Sequence, residues 1–227
     1  MSSGRLMEAL GLRGLIHLWG DAGSGKTLFA VALACDVSRN RRVEWINTDA
    51  KKSFVSHLKR NASASGGRME NITVTFTEDQ AELCKLIEEL PGAIADVSLV
   101  VIDPITRVLD LARDNPILWG REIIEDVLPT LTGIVNQHSI DIIITSESRM
   151  MRDSTNHAVH HGSISRWADF DLCTSRSMGR PHSQISKFSE DGLKELASMR
   201  IDGRGVIEVV PQIALPTASR GADELVW

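Results

Sequence analysis

The sequence has few cysteines, no surplus of positive charge and no long apolar run. Its three cysteines, Cys35, Cys84 and Cys173, are odd in number and far apart, so we expect neither a disulfide framework nor a zinc cluster. The formal net charge of −5 argues against a broadly basic nucleic-acid coat, but it permits a local basic patch. No uncharged apolar run approaches the ~20 residues of a membrane span, and residues 1–10 lack the apolar segment of a signal peptide. We therefore expect a soluble, cytoplasmic protein.

Short apolar runs alternate with helical patterns along the 227 residues. Strands are predicted at residues 15–19, 43–46, 72–76, 97–102 and 140–144, followed by shorter and partly antiparallel strands at 170–174, 184–188, 196–201 and 206–210. Thr77 and Gln80 have the spacing of a capping box and predict a helix start. Asn115-Pro116 opens a long helical pattern that Pro129 should kink. This alternation predicts one α/β domain, with a mainly parallel sheet flanked by helices and antiparallel strands at its C-terminal end.

The loop after the first strand fits G-x-x-x-x-G-K-T at every fixed position. It reads Gly20, Asp21, Ala22, Gly23, Ser24, Gly25, Lys26 and Thr27, and Leu28 continues into a helical pattern. In such a loop the backbone N–H groups face phosphates, the lysine reaches the β/γ-phosphates and the threonine hydroxyl ligates magnesium. A tight turn without a ligand is the alternative, but the strand before the loop and the helix after it favour a site for ATP and Mg²⁺.

Three acidic residues follow predicted strands and should lie at the same sheet edge as this loop. Asp103 ends a buried strand and is suited to hold magnesium, although it could instead make a turn with Pro104. Asp49 could orient the water that attacks the γ-phosphate, or it could cap a helix that starts near Lys51. Glu147 could sense the γ-phosphate or coordinate water, or it could be a solvated loop acid.

Residues 149–182 carry a local excess of positive charge in an otherwise acidic chain. The arginines of this stretch are Arg149, Arg152, Arg166, Arg176 and Arg180. Loops at the open edge of the sheet could use them to hold nucleic acid through its phosphates, and the alternative is a solvated surface segment. The pattern His157-x-x-His160-His161 superficially resembles a metal site. No cysteine or carboxylate pattern supports one, so we predict a polar loop there.

Four blocks of the sequence together resemble a known family. Residues 18–27, 44–49, 99–103 and 142–147 follow the order and spacing of the RecA/RadA recombinase core. Within that family the chain looks most similar to the archaeal RadA paralogues, RadB-like proteins that consist of little more than the ATPase core. The phosphate loop is the most specific of the four blocks, and the resemblance spans roughly residues 10–210.

The resemblance implies a RecA-like P-loop ATPase domain over residues 1–227, with residues 1–12 and 217–227 as flexible termini. It implies ATP and Mg²⁺ as ligands, with Lys26 and Thr27 at the nucleotide and Asp103 supporting the metal. It also implies single-stranded DNA as a partner in homologous recombination or DNA repair, together with a RadA-type recombinase or another repair protein, and it allows an oligomer.

Three departures from the family pattern modify these expectations. Family recombinases usually have Glu at the position of Asp49 and Gln at the position of Glu147. The first strand starts near residue 14, so we find no counterpart of the family's N-terminal helical domain and linker polymerisation motif. We therefore expect a regulatory or accessory protein with weak ATPase activity rather than a full strand-exchange enzyme.

Two alternative functions use the same core. A KaiC-like signalling ATPase would act on protein partners without DNA. A small-molecule P-loop kinase would need an arginine-rich lid, for which Arg149-Met150-Met151-Arg152 gives thin support. Salt-dependent binding to oligonucleotides separates the DNA-binding function from both alternatives.

Overall fold

The computed structural model describes residues 4–49, 51–77, 79–94, 96–106, 126–150, 156–176, 181–189 and 192–212. The strands are β1 (Leu15–Gly20), β2 (Arg42–Asn47), β3 (Ile72–Phe76), β4 (Val97–Asp103), β5 (Asp141–Met150), β6 (Asn156–Ala158), β7 (Phe170–Ser175), β8 (His182–Ser189), β9 (Gly192–Ile201) and β10 (Ile207–Pro211). The helices are α1 (Arg5–Ala9), α2 (Lys26–Val37), α3 (Ser53–Ser65), α4 (Gln80–Ala93), α5 (Leu128–His138) and α6 (His161–Ile164), with a 3₁₀ turn at Met69–Asn71.

The strands form one sheet in the order β10-β9-β8-β7-β1-β5-β4-β2-β3, and β6 pairs with the end of β5. The neighbours from β7 to β3 run parallel, whereas β7, β8, β9 and β10 pair antiparallel. The predicted α/β fold, with a mainly parallel sheet and antiparallel strands at its C-terminal end, is therefore confirmed. Because β1 lies between two parallel neighbours, all of its residues are buried.

Alternate residues of the central strands contribute to two hydrophobic layers. One layer joins Ile16 and Leu18 of β1 to Phe29 and Leu33 of α2. The other layer joins Leu15 to side chains of α4, α5 and α6, of which Ile164 is fully buried. Each large apolar side chain buried in this way contributes about 1.5–3 kcal/mol, so both faces of the sheet need their helices. The two layers hold β1 rigidly beneath the loop that follows it.

The N-terminal segment packs on α2. Met7 of α1 is 1% exposed, and the backbone N–H of Leu6 donates to the Asp36 carboxylate at 2.6 Å. Residues 4–12, expected to be a flexible terminus, therefore lie against the core. Residues 1–3 and the other expected flexible terminus, 217–227, lie outside the described residues.

The largest difference from the expected elements is at β5. The apolar pattern predicted a strand over residues 140–144, but β5 continues through the polar residues up to Met150. Thr145, Ser146 and Glu147 stay in register with β1, and residues 148–150 pair with β6. Polar side chains are compatible with a central strand when neighbouring groups hydrogen-bond them. The stretch with His157, His160 and His161, predicted to be a polar loop, instead includes part of β6 and the start of the short helix α6.

The start of one helix also differs from the prediction. Asp79 caps α4 by accepting a hydrogen bond from the Ala81 N–H at 2.8 Å, whereas the hydroxyl of Thr77 donates to the Glu82 carboxylate at 2.5 Å. Pro129 lies in the first turn of α5, directly after two π-helical residues, 126 and 127, and the predicted kink at this proline stays a prediction. The predicted start of the long helix at Asn115-Pro116 lies outside the described residues. Among those described, no helix is long and apolar enough to cross a membrane.

The three cysteines differ in environment, and none is in a disulfide. Burial raises the pKa of Cys35 to about 12 and that of Cys173 to about 11. Cys84 on α4 is only half-buried.

Because the thiolate is the reactive form, we predict that Cys35 and Cys173 resist maleimide at about pH 8 while Cys84 is labelled first. At that pH about one part in a thousand or less of either buried thiol is ionised. Peptide mass spectrometry after timed labelling measures the order, and denatured protein, in which all three should react, is the control. Labelling of Cys35 as fast as Cys84 would contradict the packing of α2.

Candidate nucleotide site

The phosphate loop connects the carboxyl end of β1 to the start of α2. Gly20 is the last residue of β1, Lys26 is the first residue of α2, and Asp21, Ala22 and Gly23 are exposed at the tip. Gly25 is the N-cap residue of α2, and no side chain caps that end of the helix. The first N–H groups of a helix have no intrahelical acceptor and carry a partial positive charge, so this end of α2 fits phosphate oxygens.

Two glycines allow the loop to lie directly on the antiparallel part of the sheet. A Cβ atom at Gly20 would lie 2.2 Å from the Thr174 carbonyl oxygen, and one at Gly25 would lie 2.6 Å from the Met199 methyl carbon. Both residues also have positive φ, at 148° and 106°, which glycine adopts without strain. Ser24 turns its side chain inward, where its Oγ lies 2.6 Å from Oγ1 of Thr174. Only the backbone of Ser24 is therefore suited to contact phosphate, and Leu28 packs partly into the core.

The Lys26 side chain folds over the loop. Its Nζ donates to the carbonyl oxygens of Gly20 at 2.7 Å and Asp21 at 2.9 Å. Burial lowers its pKa, while the nearby carboxylates of Glu147 and Asp103 act in the opposite direction. The ammonium group therefore lies among oxygen atoms at the mouth of the loop, where phosphate oxygens would be further acceptors for its N–H groups.

The carboxylate of Asp103 is buried beside the start of α2. Its Oδ1 accepts hydrogen bonds from Thr145 Oγ1 at 2.5 Å and from Thr27 Oγ1 at 3.3 Å. Burial raises its pKa, and these two hydrogen bonds oppose the shift. The side chain thus contacts α2 and β5 rather than serving only a turn at Pro104. A carboxylate next to a threonine hydroxyl is a donor set that fits Mg²⁺.

Asp49 lies two residues beyond the end of β2, at the same edge. Its Oδ1 accepts from the backbone N–H of Lys51 at 3.0 Å, and its Oδ2 lies 2.9 Å from Lys51 Nζ. The N-cap residue of α3 is Lys52, so Asp49 does not cap that helix. Burial is the main reason why the pKa of Asp103 is raised, and the negative charge of Asp49 acts in the same direction. This geometry is compatible with the role predicted for Asp49, which is to orient the water that attacks the γ-phosphate.

Glu147 lies on β5 directly opposite Gly20 of β1. It is exposed, and its charge acts on the Lys26 ammonium group. Its backbone is fixed on both sides, because its N–H donates to Thr106 Oγ1 at 3.4 Å and its carbonyl accepts from the Val159 N–H at 2.9 Å. Glu147 is therefore an exposed residue of a strand beside the phosphate loop, rather than a residue of a loop.

The structure separates the arginines that the sequence grouped together. Arg149 is exposed near the carboxyl end of β5, where it is in register with His157 of β6, and Arg176 is exposed directly after β7, so both lie at the carboxyl ends of parallel strands. Arg166 follows α6 on the segment that leads into β7 at the opposite edge of the sheet, where the Asp169 N–H donates to the Leu15 carbonyl at 2.8 Å. Arg152 and Arg180 lie outside the described residues.

The three neighbouring histidines occupy different elements. His157 is on β6, His160 has a positive φ of 57° just before α6, and His161 begins α6. The rings of His157 and His161 lie 5.9 Å apart. In the described parts of the chain, no three His, Cys, Asp or Glu side chains are grouped so that they could hold a metal ion.

Sequence reasoning missed the hydroxyl residues that hold this site together. Thr145 fixes Asp103, Thr174 supports Ser24, and Ser148 Oγ donates to the carboxylate of Asp21 in the loop. A usable signal was present for Thr145 and Ser148, since both follow an apolar run that ends at the same edge as Asp103. Thr174 is found only once β7 is known to lie beside β1.

Comparison with known proteins gives matches to solved structures. No family model and no curated protein matches the sequence. Among solved structures, 419 chains match, so the fold is widely shared. One of them, described as the crystal structure of the RadB recombinase, aligns with a TM-score of 0.71 and 21% identity, covering 92% of this chain and 99% of that chain. The chain therefore has the RecA-like fold that its resemblance to the recombinase family implied.

We predict that Lys26→Ala removes the thermal stabilisation that Mg·ADP gives the wild-type protein. A ligand present at about 100 times its Kd stabilises by ~2.7 kcal/mol, which for a chain of this size raises Tm by roughly 5–11 °C. The variant should unfold near the wild-type Tm without nucleotide and show no shift with it. Lys85→Ala, which removes an exposed ammonium from α4, is the matched control and should keep the shift. A full shift in Lys26→Ala would remove Lys26 from the nucleotide site.

Proposed function

We propose that this chain is an ATP-binding and slowly hydrolysing recombinase-like accessory protein that binds single-stranded DNA in homologous recombination or DNA repair, together with a RadA-type recombinase or another repair protein. The observation that carries the nucleotide part is the grouping of Lys26, Thr27 and Asp103 around the uncapped start of α2. The fold shared with a RadB recombinase supports the recombination role.

The residues present define how nucleotide would be held. The backbone of residues 20–28 would bind phosphate oxygens, and Lys26 would exchange its bonds to the loop carbonyls for bonds to phosphate. Thr27 and Asp103 would hold Mg²⁺, which when bound neutralises phosphate charge and polarises the phosphoryl group. The packing of Ser24 on Thr174 keeps the loop in place whether or not nucleotide is bound.

The expected slow turnover follows from Asp49. In P-loop enzymes a positioned residue orients the attacking water, and Asp is one methylene shorter than the Glu found in recombinases of the family. The Asp49 carboxylate is also paired with the Nζ and N–H groups of Lys51, which directs it towards its own loop. Both features weaken its hold on a water near the γ-phosphate.

The DNA part rests on the placement of Arg149 and Arg176. Both residues lie at the sheet edge that carries the phosphate loop, and both are exposed. Arginine pairs with phosphate through several N–H groups, so two such residues at one edge give a short positive strip suited to the backbone of a single strand. Contacts of this kind carry no sequence information.

A second candidate is a KaiC-like signalling ATPase that acts on protein partners without DNA. Exposed acids at the same edge favour it, because Asp21 and Glu147 lie close to the phosphate loop and would repel a phosphate backbone. The formal net charge of −5 likewise disfavours the binding of a phosphate backbone.

We predict that Asp49→Glu raises the rate of ATP hydrolysis and that Asp49→Asn lowers it. Positioned bases contribute about 10²–10⁴-fold in rate, and the longer side chain should reach the attacking water better. Phosphate release at saturating Mg·ATP measures kcat. Asp79→Asn, which alters another carboxylate at this edge but retains a capping oxygen for α4, should hydrolyse ATP at the wild-type rate. Unchanged rates in both Asp49 variants would exclude Asp49 from the mechanism.

We predict that Arg149→Ala/Arg176→Ala weakens binding of a mixed-sequence single-stranded oligonucleotide. Each neutralised phosphate adds about −0.7 to the slope of log K against log salt, so the slope should flatten by about 1.4. Fluorescence anisotropy across a salt series, with and without Mg·ATP, gives this slope. Arg166→Ala removes an equal charge on the segment leading to the opposite edge and should leave the slope unchanged. If the wild-type protein fails to bind single strands at low salt, the signalling ATPase becomes the better proposal.

A further inference from the structure

A buried polar cluster lies beside the phosphate loop and takes no part in the function proposed so far. His17 of β1 is 0% exposed, and its two ring nitrogens lie 2.9 Å from Asp171 Oδ1 on β7 and 2.6 Å from Ser146 Oγ on β5. Ser146 is likewise 0% exposed. A polar side chain in a central strand destabilises the fold unless it is fully hydrogen-bonded, and here each nitrogen has a partner.

The carboxylate of Asp171 is the acceptor at the centre of the cluster. Its Oδ1 accepts from His17 Nδ1 and also from Trp19 Nε1 at 2.8 Å, and its Oδ2 lies 2.6 Å from His161 Nε2 on α6. Burial acts to raise the pKa of Asp171, but the hydrogen bonds from His161 and His17 outweigh it and hold the pKa at about 2. The carboxylate is therefore ionised at neutral pH and can only accept hydrogen bonds.

An ionised Asp171 fixes the proton on His17. The Nδ1 atom must carry hydrogen in order to donate to the carboxylate, and burial lowers the pKa of His17, which keeps the ring neutral. The Nε2 atom then has a lone pair and accepts the hydroxyl hydrogen of Ser146. The direction of every hydrogen bond from Asp171 to Ser146 is thus set by the carboxylate.

Ser146, His17 and Asp171 have the connectivity of a hydrolase triad, but they cannot act as one. A triad serine must reach the carbonyl of a substrate, whereas Ser146 and His17 are both fully buried. What the arrangement retains is the other role of a triad carboxylate, which is to orient an imidazole in one tautomer. In this chain the oriented imidazole holds a residue of β5.

We propose that Asp171 is a positioning residue of the nucleotide site, acting through His17 on Ser146. Ser146 is flanked by Thr145, which donates to Asp103 at 2.5 Å, and by Glu147, which lies opposite Gly20 of the phosphate loop. Fixing Ser146 therefore fixes Thr145 on Asp103 and fixes Glu147 opposite Gly20, the loop residue to which Lys26 donates. This inference rests on the proposed ATPase activity, because it assigns the cluster to the geometry of that site.

The kinetic test uses Ser146→Ala, Asp171→Ala and the double variant. Loss of a residue that orients a ligand-holding group typically costs about 10- to 100-fold, so each single variant should lower kcat for ATP by about 10-fold. The KM for ATP should change little, because Lys26 and the loop backbone stay in place. The double variant should be no slower than the slower single variant, since among the described residues the hydrogen bonds that link Ser146 to Asp171 run through His17. If the two reductions in kcat multiply in the double variant, the proposal is overturned. A folded Asp171→Ala protein with the wild-type kcat would overturn it as well.

Two further variants separate positioning from general damage. In Asp171→Asn, the amide oxygen can still accept from His17 and Trp19. The amide NH₂ can donate to His161 if that ring carries its hydrogen on Nδ1. This variant should therefore have a kcat close to the wild-type value. Asp169→Ala removes a carboxylate just before β7 that accepts from the Leu15 N–H at 2.8 Å and has no part in the cluster. It should leave kcat unchanged, and a fall equal to that of Asp171→Ala would overturn the proposal.

A readout that needs no hydrolysis keeps this inference distinct from the proposed function. In ¹⁵N-histidine-labelled protein, long-range ¹H–¹⁵N spectra identify the tautomer of each ring, and His17→Gln assigns the His17 signals. We expect a neutral His17 with hydrogen on Nδ1 in the wild-type protein and on Nε2 in Asp171→Ala. A wild-type ring with hydrogen on Nε2, or on both nitrogens at neutral pH, would overturn the proposal even if ATP is hydrolysed. A protein that shows the expected tautomer but no hydrolysis would instead overturn the proposed ATPase.

Discussion

β1 hydrogen-bonds to β5 on one side and to β7 on the other, which sets Gly20 opposite Glu147 and opposite Thr174. The phosphate loop starts from this fixed point. Its glycine lies too close to the Thr174 carbonyl for any side chain, and Ser24 is bonded to the Thr174 hydroxyl. If β1 were at a sheet edge, the loop would lose the support of one neighbour. The geometry of the site therefore depends on the pairing of three parallel strands more than on the loop itself.

Burial makes the ionised form of Asp103 costly, although the nearby Lys26 ammonium favours it. Asp103 is buried, and the charge of Asp49 adds to the free energy of keeping it ionised, as its raised pKa shows. The hydroxyl groups of Thr27 and Thr145 compensate in part. Such a buried carboxylate is destabilising in most proteins unless it has a function that needs its charge. A magnesium ion bound next to Asp103 would favour the ionised carboxylate and so offset the free-energy cost of burying its charge.

The sequence predicted the parallel sheet, the phosphate loop and the edge position of Asp103, because apolar β-branched runs and a glycine-rich loop are local signals. It did not predict that β5 continues to Met150, since its last residues are polar and their partners come from distant segments. The start of α4 was misplaced by two residues because Thr77 and Asp79 are both capable caps. The sequence also could not show that Arg166 lies apart from Arg149 and Arg176. Its position becomes clear only from the path of the chain through α6 into β7.

The polar end of β5 joins the parts that local patterns could not connect. Its side chains bond in turn to different elements, since Thr145 contacts Asp103, Ser146 contacts His17 and Ser148 contacts Asp21. One strand thus contacts Asp103, the buried cluster around His17 and the phosphate loop, and its last residues pair with β6. Arg149 lies on this strand two residues beyond Glu147. Its position is therefore set by the sheet, so a ligand on this arginine and a nucleotide on the loop would contact the same rigid element.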